Sequence, residues 1–209
     1  MKEDRVNPSE GNPGQTSLTL LEKVRAQEKE AWKRLWELYT PLVWHWCKLY
    51  GLQLADMEEV TQDVFTAVSR GIATFHRDQK GDTFRGWLRT ITKTKIIDHI
   101  PPLGGVGVGG SEAQQILKEL PAPDPLSQAC ADAEAMEKNI LYTKAVQMIE
   151  SSFEPCTRRA FWLLIAGRQP KDVAADLGLS VSAVYTAKAR ILKRLREEFC
   201  GLLELTDAD

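Results

Sequence analysis

A chain of 209 residues with 43% hydrophobic and 27% charged residues has enough apolar content for one large or two small cored domains. Its formal net charge of −2 excludes a general coater of nucleic acid, so any basic character has to be local. Four scattered cysteines (Cys47, Cys130, Cys156, Cys200) lack zinc-ligand spacing and read as reduced thiols that mostly fill the core. The polar N-terminus lacks a signal-peptide core and no apolar run could span a bilayer, so a cytoplasmic protein is expected.

Residues 1–15, with Pro8, Gly11, Pro13 and Gly14 and little apolar content, are expected to form a disordered lead. From Thr16 a helical pattern begins with Leu18, Leu21 and Val24 and continues through Trp32, Leu35, Trp36 and Tyr39. Thr40-Pro41 reads as the cap and first position of a new helix carrying Leu42, Val43, Trp46, Leu49 and Tyr50, ended by Gly51. This aromatic stripe is expected in the core rather than as a platform for bases.

Asp56 is expected to cap the next helix, with Glu59 at the capping-box position and Val60, Val64, Ala67 and Val68 as the apolar stripe. Asp56, Glu59 and Asp63 share a neighbouring face, flanked by Glu58 and Gln62, and no basic residue interrupts it. Such a face is either simply solvated or a dock for a basic protein partner. Residues 71–84 then form a polar loop holding Phe75, Arg77, Lys80 and Phe84. A helix follows through Arg85, Trp87, Arg89, Lys93 and Lys95 to His99. Aromatic rings interleaved with basic side chains suit single-stranded nucleic acid, whose bases stack and whose phosphates need neutralising. Trp87 fits a core position equally well.

Residues 101–126, rich in Gly and Pro, read as a flexible linker. Gly105, Gly107 and Gly110 match a dinucleotide fingerprint by letter alone, with no strand before them and no βαβ unit around them. Helical pattern resumes from Asp124 or Ser127 through Ala133, Met136, Ile140, Val146 and Ile149. A further helix starts at Pro155 and ends at Gly167, with Ala160, Phe161, Leu164 and Ile165 inward.

Residues 170–196 read as a helix-turn-helix. Pro170 opens the first helix, Val173, Ala174 and Leu177 give its apolar stripe, and Gly178 turns the chain. Ser180 or Ser182 caps a second helix whose Val184, Ala187, Ile191 and Leu195 face inward. Its other face carries Ser182, Tyr185, Thr186, Arg190, Lys193 and Arg194, and Lys188 and Arg196 add to a stretch without acidic residues. A basic second helix so held can enter a major groove and meet base edges with its first turns. Three histidines (His45, His76, His99) without ligand spacing, no phosphate-binding loop and no nucleophile–base pair give chemistry nowhere to sit, so no enzyme, cofactor or metal is expected.

In order, an aromatic-rich helix, the acidic DMEEVTQDVF helix, the loop into FRGWLRTITKTKIIDHI, a Gly/Pro linker and a C-terminal helix-turn-helix resemble bacterial sigma factors of the extracytoplasmic-function group. The string AVYTAKARILKRLREEF is most similar to the branch met in planctomycetes. The resemblance implies an all-α fold of two small helical domains. Residues 16–100 would bind core polymerase and the −10 element, residues 127–200 would bind the −35 element, and residues 201–209 would be a tail. Asp56, Glu59, Gln62 and Asp63 would contact the β′ clamp helices. Phe75, Arg77, Lys80, Phe84, Arg85, Trp87 and Arg89 would meet the melted −10 element. Ser182, Tyr185, Thr186, Lys188, Arg190, Lys193 and Arg194 would meet the −35 element, near the polymerase flap. An anti-sigma protein is a further partner the family implies. The chain departs from the pattern at Ile100-Pro101-Pro102, where the family commonly carries basic residues, and at Tyr185-Thr186-Ala187-Lys188 in the recognition helix. The other reading open to these residues is a regulator that binds duplex operators as a dimer through the same helix-turn-helix.

Overall fold

The computed structural model describes residues 19–75, 83–100, 126, 131–200 and 202–203. The described residues are helical throughout, without strands, in line with the all-α expectation. Helix α1 (Leu20–Arg25) starts at a reciprocal cap. The Thr19 hydroxyl accepts from the Glu22 amide at 3.3 Å, and the Glu22 carboxylate accepts from the Thr19 amide at 2.7 Å.

Helix α2 (Lys29–Leu49) is one continuous helix, and this corrects the expected break at Thr40-Pro41. Proline removes one backbone donor and crowds the preceding turn. Here Leu38, Tyr39, Leu42 and Val43 are all fully buried on either side of it, and their burial, at about 1.5–3 kcal/mol for a large side chain, offsets that cost. The Thr40 hydroxyl bonds the Trp36 carbonyl at 2.8 Å instead of capping a new helix.

Helix α3 (Leu54–Gly71) begins two residues before the expected Asp56, so Asp56 lies in its first turn and is not the cap. There its charge still suits the positive end of the helix dipole. Helix α4 (Phe84–His99) has the expected bounds, and the Thr83 hydroxyl accepts from the Gly86 amide at 3.0 Å.

In the second half, α5 (Ala131–Ile149) leads through a short 3₁₀ turn to α6 (Pro155–Ile165), α7 (Pro170–Leu177) and α8 (Val181–Phe199). The buried face of α5 runs through Glu137, Leu141 and Ala145, whereas Met136, read as inward, is 55% exposed. Gly178 sits at φ +65°, the left-handed conformation that lets α7 stop and α8 start at once. Ser180 is the cap, accepting from the Ala183 amide at 3.1 Å.

The apolar core joins the two halves. Tyr39, Leu42 and Trp46 of α2, Val64 and Val68 of α3, and Phe84 and Leu88 of α4 belong to the same buried cluster as Leu141 and Ala145 of α5 and Ile191, Leu195 and Phe199 of α8. The Tyr39 hydroxyl donates to the Leu202 carbonyl at 2.9 Å, inside the protein. A smaller cluster of Ala160, Val173, Ala174, Val184 and Ala187 holds α6, α7 and α8 together. Both halves are helical as expected, and in this structure they lie against each other. Most of the expected linker, residues 101–125, falls outside the described residues, as do residues 1–18.

Candidate nucleic-acid interface

The helix-turn-helix presents its second helix to solvent. Val184, Ala187, Ile191 and Leu195 turn inward at spacings of three and four, which leaves the alternate faces of α8 outward. Ser182, Thr186 and Arg190 are exposed, and Tyr185 is 55% exposed. The Thr186 hydroxyl donates back to the Ser182 carbonyl at 2.9 Å, which fixes its rotamer while its lone pairs face solvent. Lys188 is half-buried, so its stem packs on the protein. A cavity of about 350 Å³ runs beside these first turns, lined by Thr157, Ser180, Ser182, Thr186 and Arg190 together with Cys156.

Further along α8 the basic residues have acidic partners. Lys193 lies 3.8 Å from Glu197, and Arg194 lies 2.6 Å from Glu198. Glu198 also pairs with Arg34 of α2, whose guanidinium sits 5.4 Å from the centre of the Phe199 ring. The tail end of α8 is thus tied to α2, and its N-terminal turns pack on α6 and α7 through Val184 and Ala187 with Ser182, Tyr185 and Thr186 left exposed.

The acidic face of α3 is open. Glu58, Glu59, Gln62 and Asp63 are exposed, on the side opposite the buried Val60, Val64 and Val68. Asp56 is half-buried and lies 3.3 Å from the His99 ring nitrogen at the end of α4. Trp36 is 40% exposed and packs at a tilt against Phe65 of α3, ring centres 4.4 Å apart.

The α4 candidates sit differently. Phe84 is fully buried and Phe75 is 6% exposed. Phe75 packs edge-on against Phe84 at 5.6 Å and stacks on Trp87 at 4.9 Å, and Tyr39 closes the group 4.9 Å from Phe84. Phe75 and Phe84, expected to offer faces to bases, are core rings here, because their burial against Tyr39 and Trp87 satisfies both faces. Trp87 is half-buried and packs against Gly71, where an added Cβ would lie 3.0 Å from the indole. Arg77 and Lys80 lie outside the described residues.

Arg85 is buried, and two carboxylates of α5 hold it. Its Nη1 lies 2.5 Å from Glu137 and its Nη2 lies 3.1 Å from Glu134. Arg89 lies 3.6 Å from Glu137 and donates to the Leu126 carbonyl. Glu137 is only 1% exposed and also accepts from the Trp46 indole at 2.8 Å. One buried carboxylate therefore serves α2 and α4 together, with most of its lone pairs occupied, which is the condition under which a buried charge is tolerated. Lys138 bonds Glu134 at 2.9 Å, and that bond, with Arg85 beside it, holds the Glu134 carboxyl below its ordinary range.

Sequence reading did not single out Glu137. Its signal was its place in the series Ala133, Glu137, Leu141, Ala145, where an acidic residue occupies an apolar stripe. Burial pushes the Cys47 thiol up to about 11, which makes it a core filler and not a nucleophile. Cys156 and Cys200 are exposed. Among the described residues no group of His, Cys, Asp and Glu could hold a metal ion, and no helix is long and apolar enough to cross a membrane.

No curated protein sequence matches the chain. Residues 35–101, which hold most of α2 and all of α3 and α4, match the family described as Sigma-70 region 2.

Proposed function

We propose that the chain is a sigma factor of the extracytoplasmic-function type, which binds core RNA polymerase and directs it to promoters through a −35 and a −10 element. The observation that carries the reading is the pairing of a Sigma-70 region 2 match over residues 35–101 with a helix-turn-helix whose second helix exposes its first turns. Neither part alone would distinguish this function from operator binding.

On this reading the open acidic face of α3, with Glu59, Gln62 and Asp63 outermost and Asp56 beside them, docks on the basic clamp helices of β′. Ser182, Tyr185 and Thr186 read bases in the −35 groove. Lys188 and Arg190 follow, and Lys193 and Arg194 approach phosphates once released from Glu197 and Glu198. Arg77, Lys80, Arg85, Trp87 and Arg89 meet the melted −10 strand, and Phe75 and Phe84 support the Trp87 ring from beneath. The protein catalyses nothing itself. It supplies recognition to an enzyme.

Purified chain mixed with core RNA polymerase should co-elute with it and should confer promoter-dependent initiation. Binding of duplex DNA as a dimer, with no association with polymerase, would replace this reading with that of an operator-binding regulator.

A further inference from the structure

Trp87 keeps part of its surface outside the core and is held on three sides. Phe75 stacks on it with ring centres 4.9 Å and planes 27° apart, Phe84 meets it edge-on at 5.5 Å, and a Cβ added at Gly71 would stand 3.0 Å from the indole. Burial fixes Phe84, and Gly71 is the last residue of α3. Phe75 belongs to no helix, so its ring needs its backbone held. That hold comes from α1. The Arg25 guanidinium donates to the Phe75 carbonyl, which no amide of the described residues reaches. Helix α1 stops sharply just beyond Arg25. The Gln27 amide donates to the Val24 carbonyl at 3.0 Å, the Glu28 amide donates to the Lys23 carbonyl at 3.1 Å, and Gln27 takes φ +60°, a conformation uncommon outside glycine. Leu20, Leu21 and Val24 are buried, so the turn that carries Arg25 is fixed against the core.

We propose that Arg25 is a positioning residue of the −10 site: through the Phe75 carbonyl it sets the Phe75 ring, and through that ring the angle at which Trp87 meets the melted strand. The inference rests on the reading of α4 as the −10-binding helix. It adds to that site a residue of α1, outside the residues 35–101 that match the family. Arg25 touches no base in this role. A guanidinium suits the task, because its several donors lie in one rigid plane and one of them can stay on a carbonyl while the stem runs along the surface. A released Phe75 would let Trp87 sample several orientations. DNA affinity then falls by the fraction in the competent orientation, although no contact with DNA has been removed.

The test uses the full chain on core polymerase. The probe is a duplex with a pre-opened bubble, selected from a random-sequence pool by the wild-type holoenzyme. The chain carries 5-fluorotryptophan, and Trp87→Phe identifies the Trp87 signal in its fluorine spectrum. Arg25→Met keeps the stem and removes the donors. It should bind polymerase as the wild type does, move or broaden the Trp87 signal, and lower bubble retention about threefold to tenfold. Arg25→Lys, whose ammonium can still donate to the carbonyl, should restore most of both. In a Trp87→Ala background, Arg25→Met should cost no further retention. If Trp87→Ala does not fold, the fluorine signal decides alone. An unmoved Trp87 signal in Arg25→Met overturns the relay, as does an equal further loss in the Trp87→Ala background, which would mean that Arg25 meets DNA itself. Unchanged retention by Arg25→Met, or weakened polymerase binding, also overturns it and leaves the sigma-factor reading standing. A pool from which the holoenzyme selects nothing beyond what core polymerase selects overturns the reading of α4, and the relay with it.

Discussion

Helices α4 and α8 both carry basic residues, and the structure treats them in opposite ways. On α4, Arg85 and Arg89 lean into the protein, and buried or half-buried partners meet them. On α8, Arg190 stands exposed beside an open cavity, and Arg194 is paired on a half-exposed surface. The difference comes from what lies opposite. Helix α8 turns its apolar stripe toward the body and keeps Arg190, Lys193 and Arg194 exposed, whereas the arginines of α4 meet an acidic residue that α5 holds within its own apolar stripe. A basic run in a sequence is therefore two different things, depending on a helix far away along the chain. The same holds for the rings, since Phe84 is sealed and Tyr185 is half in solvent.

The largest expected effects fall on the α4 side. Arg85→Ala leaves Glu137 buried with only Trp46 and Arg89 to compensate, so the variant should lose roughly 3 kcal/mol, the low end for a broken buried pair. Phe84→Ala should lose about 3–5 kcal/mol through the cavity it leaves among Tyr39, Phe75 and Trp87. Arg194→Ala should change stability by less than about 1 kcal/mol, because Arg194 is half exposed and Glu198 keeps its second partner, Arg34. Urea unfolding of the three variants measures all of these. Equal losses at Arg85 and Arg194 would erase the contrast between the helices.

On the α8 side the effects should appear in recognition and leave folding alone. Tyr185→Ala and Thr186→Ala should keep the wild-type unfolding midpoint and shift promoter preference by about 1–3 kcal/mol at one position. Competitive promoter binding by holoenzyme reads the shift. If preference is unchanged while Lys193→Ala alters it, the helix enters the groove in another register. Charge reversal at Glu59 and Asp63 together should cost stability no more than about 0.5 kcal/mol, as for exposed sites generally, yet weaken capture of core polymerase in a pull-down. Normal capture by a folded double variant would remove α3 from the polymerase interface.

The contrast also marks what could be read from the chain alone. Local signals carried α4 and the helix-turn-helix to within a residue or two. Ser180 and Gly178 act through bonds and dihedrals that span only a few residues, so their signal is complete within the local sequence. Pro41 misled because the loss of one backbone bond is local, whereas the burial that outweighs it comes from α3, α4 and α5. Glu137 was not seen for a related reason. Periodicity placed Met136 and Ile140 inward, and an acidic residue one step away looked solvated until Arg85 and Trp46 were known to face it. Phe75 and Phe84 read as rings for bases because aromatic residues beside basic ones look alike in sequence whether they close on each other or open outward, and here they close on each other.

The smallest expected effect concerns pH, and it distinguishes the buried side once more. His45 of α2 is half-buried, and burial, the larger influence, holds its imidazole below the ordinary range; the nearby Glu137 charge opposes this, and Lys48 reinforces it. A histidine whose folded pKa is depressed binds a proton more readily in the unfolded chain. Its contribution to stability is thus complete above the unfolded value near 6.5 and is lost as the pH falls through that value toward the lower, folded one. Thermal unfolding between pH 7.5 and about 5.5 should show a shallow decline on the acid side. His45→Gln should flatten that decline and leave the plateau near neutrality almost unchanged. Glu137→Gln should steepen it, since removing the opposing charge leaves burial to depress the imidazole further. A steeper acid decline in His45→Gln, or no change of slope in Glu137→Gln, would mean that the carboxylate joining the two halves is not felt at His45, and that the electrostatic contrast with α8 stops at Arg85 and Arg89.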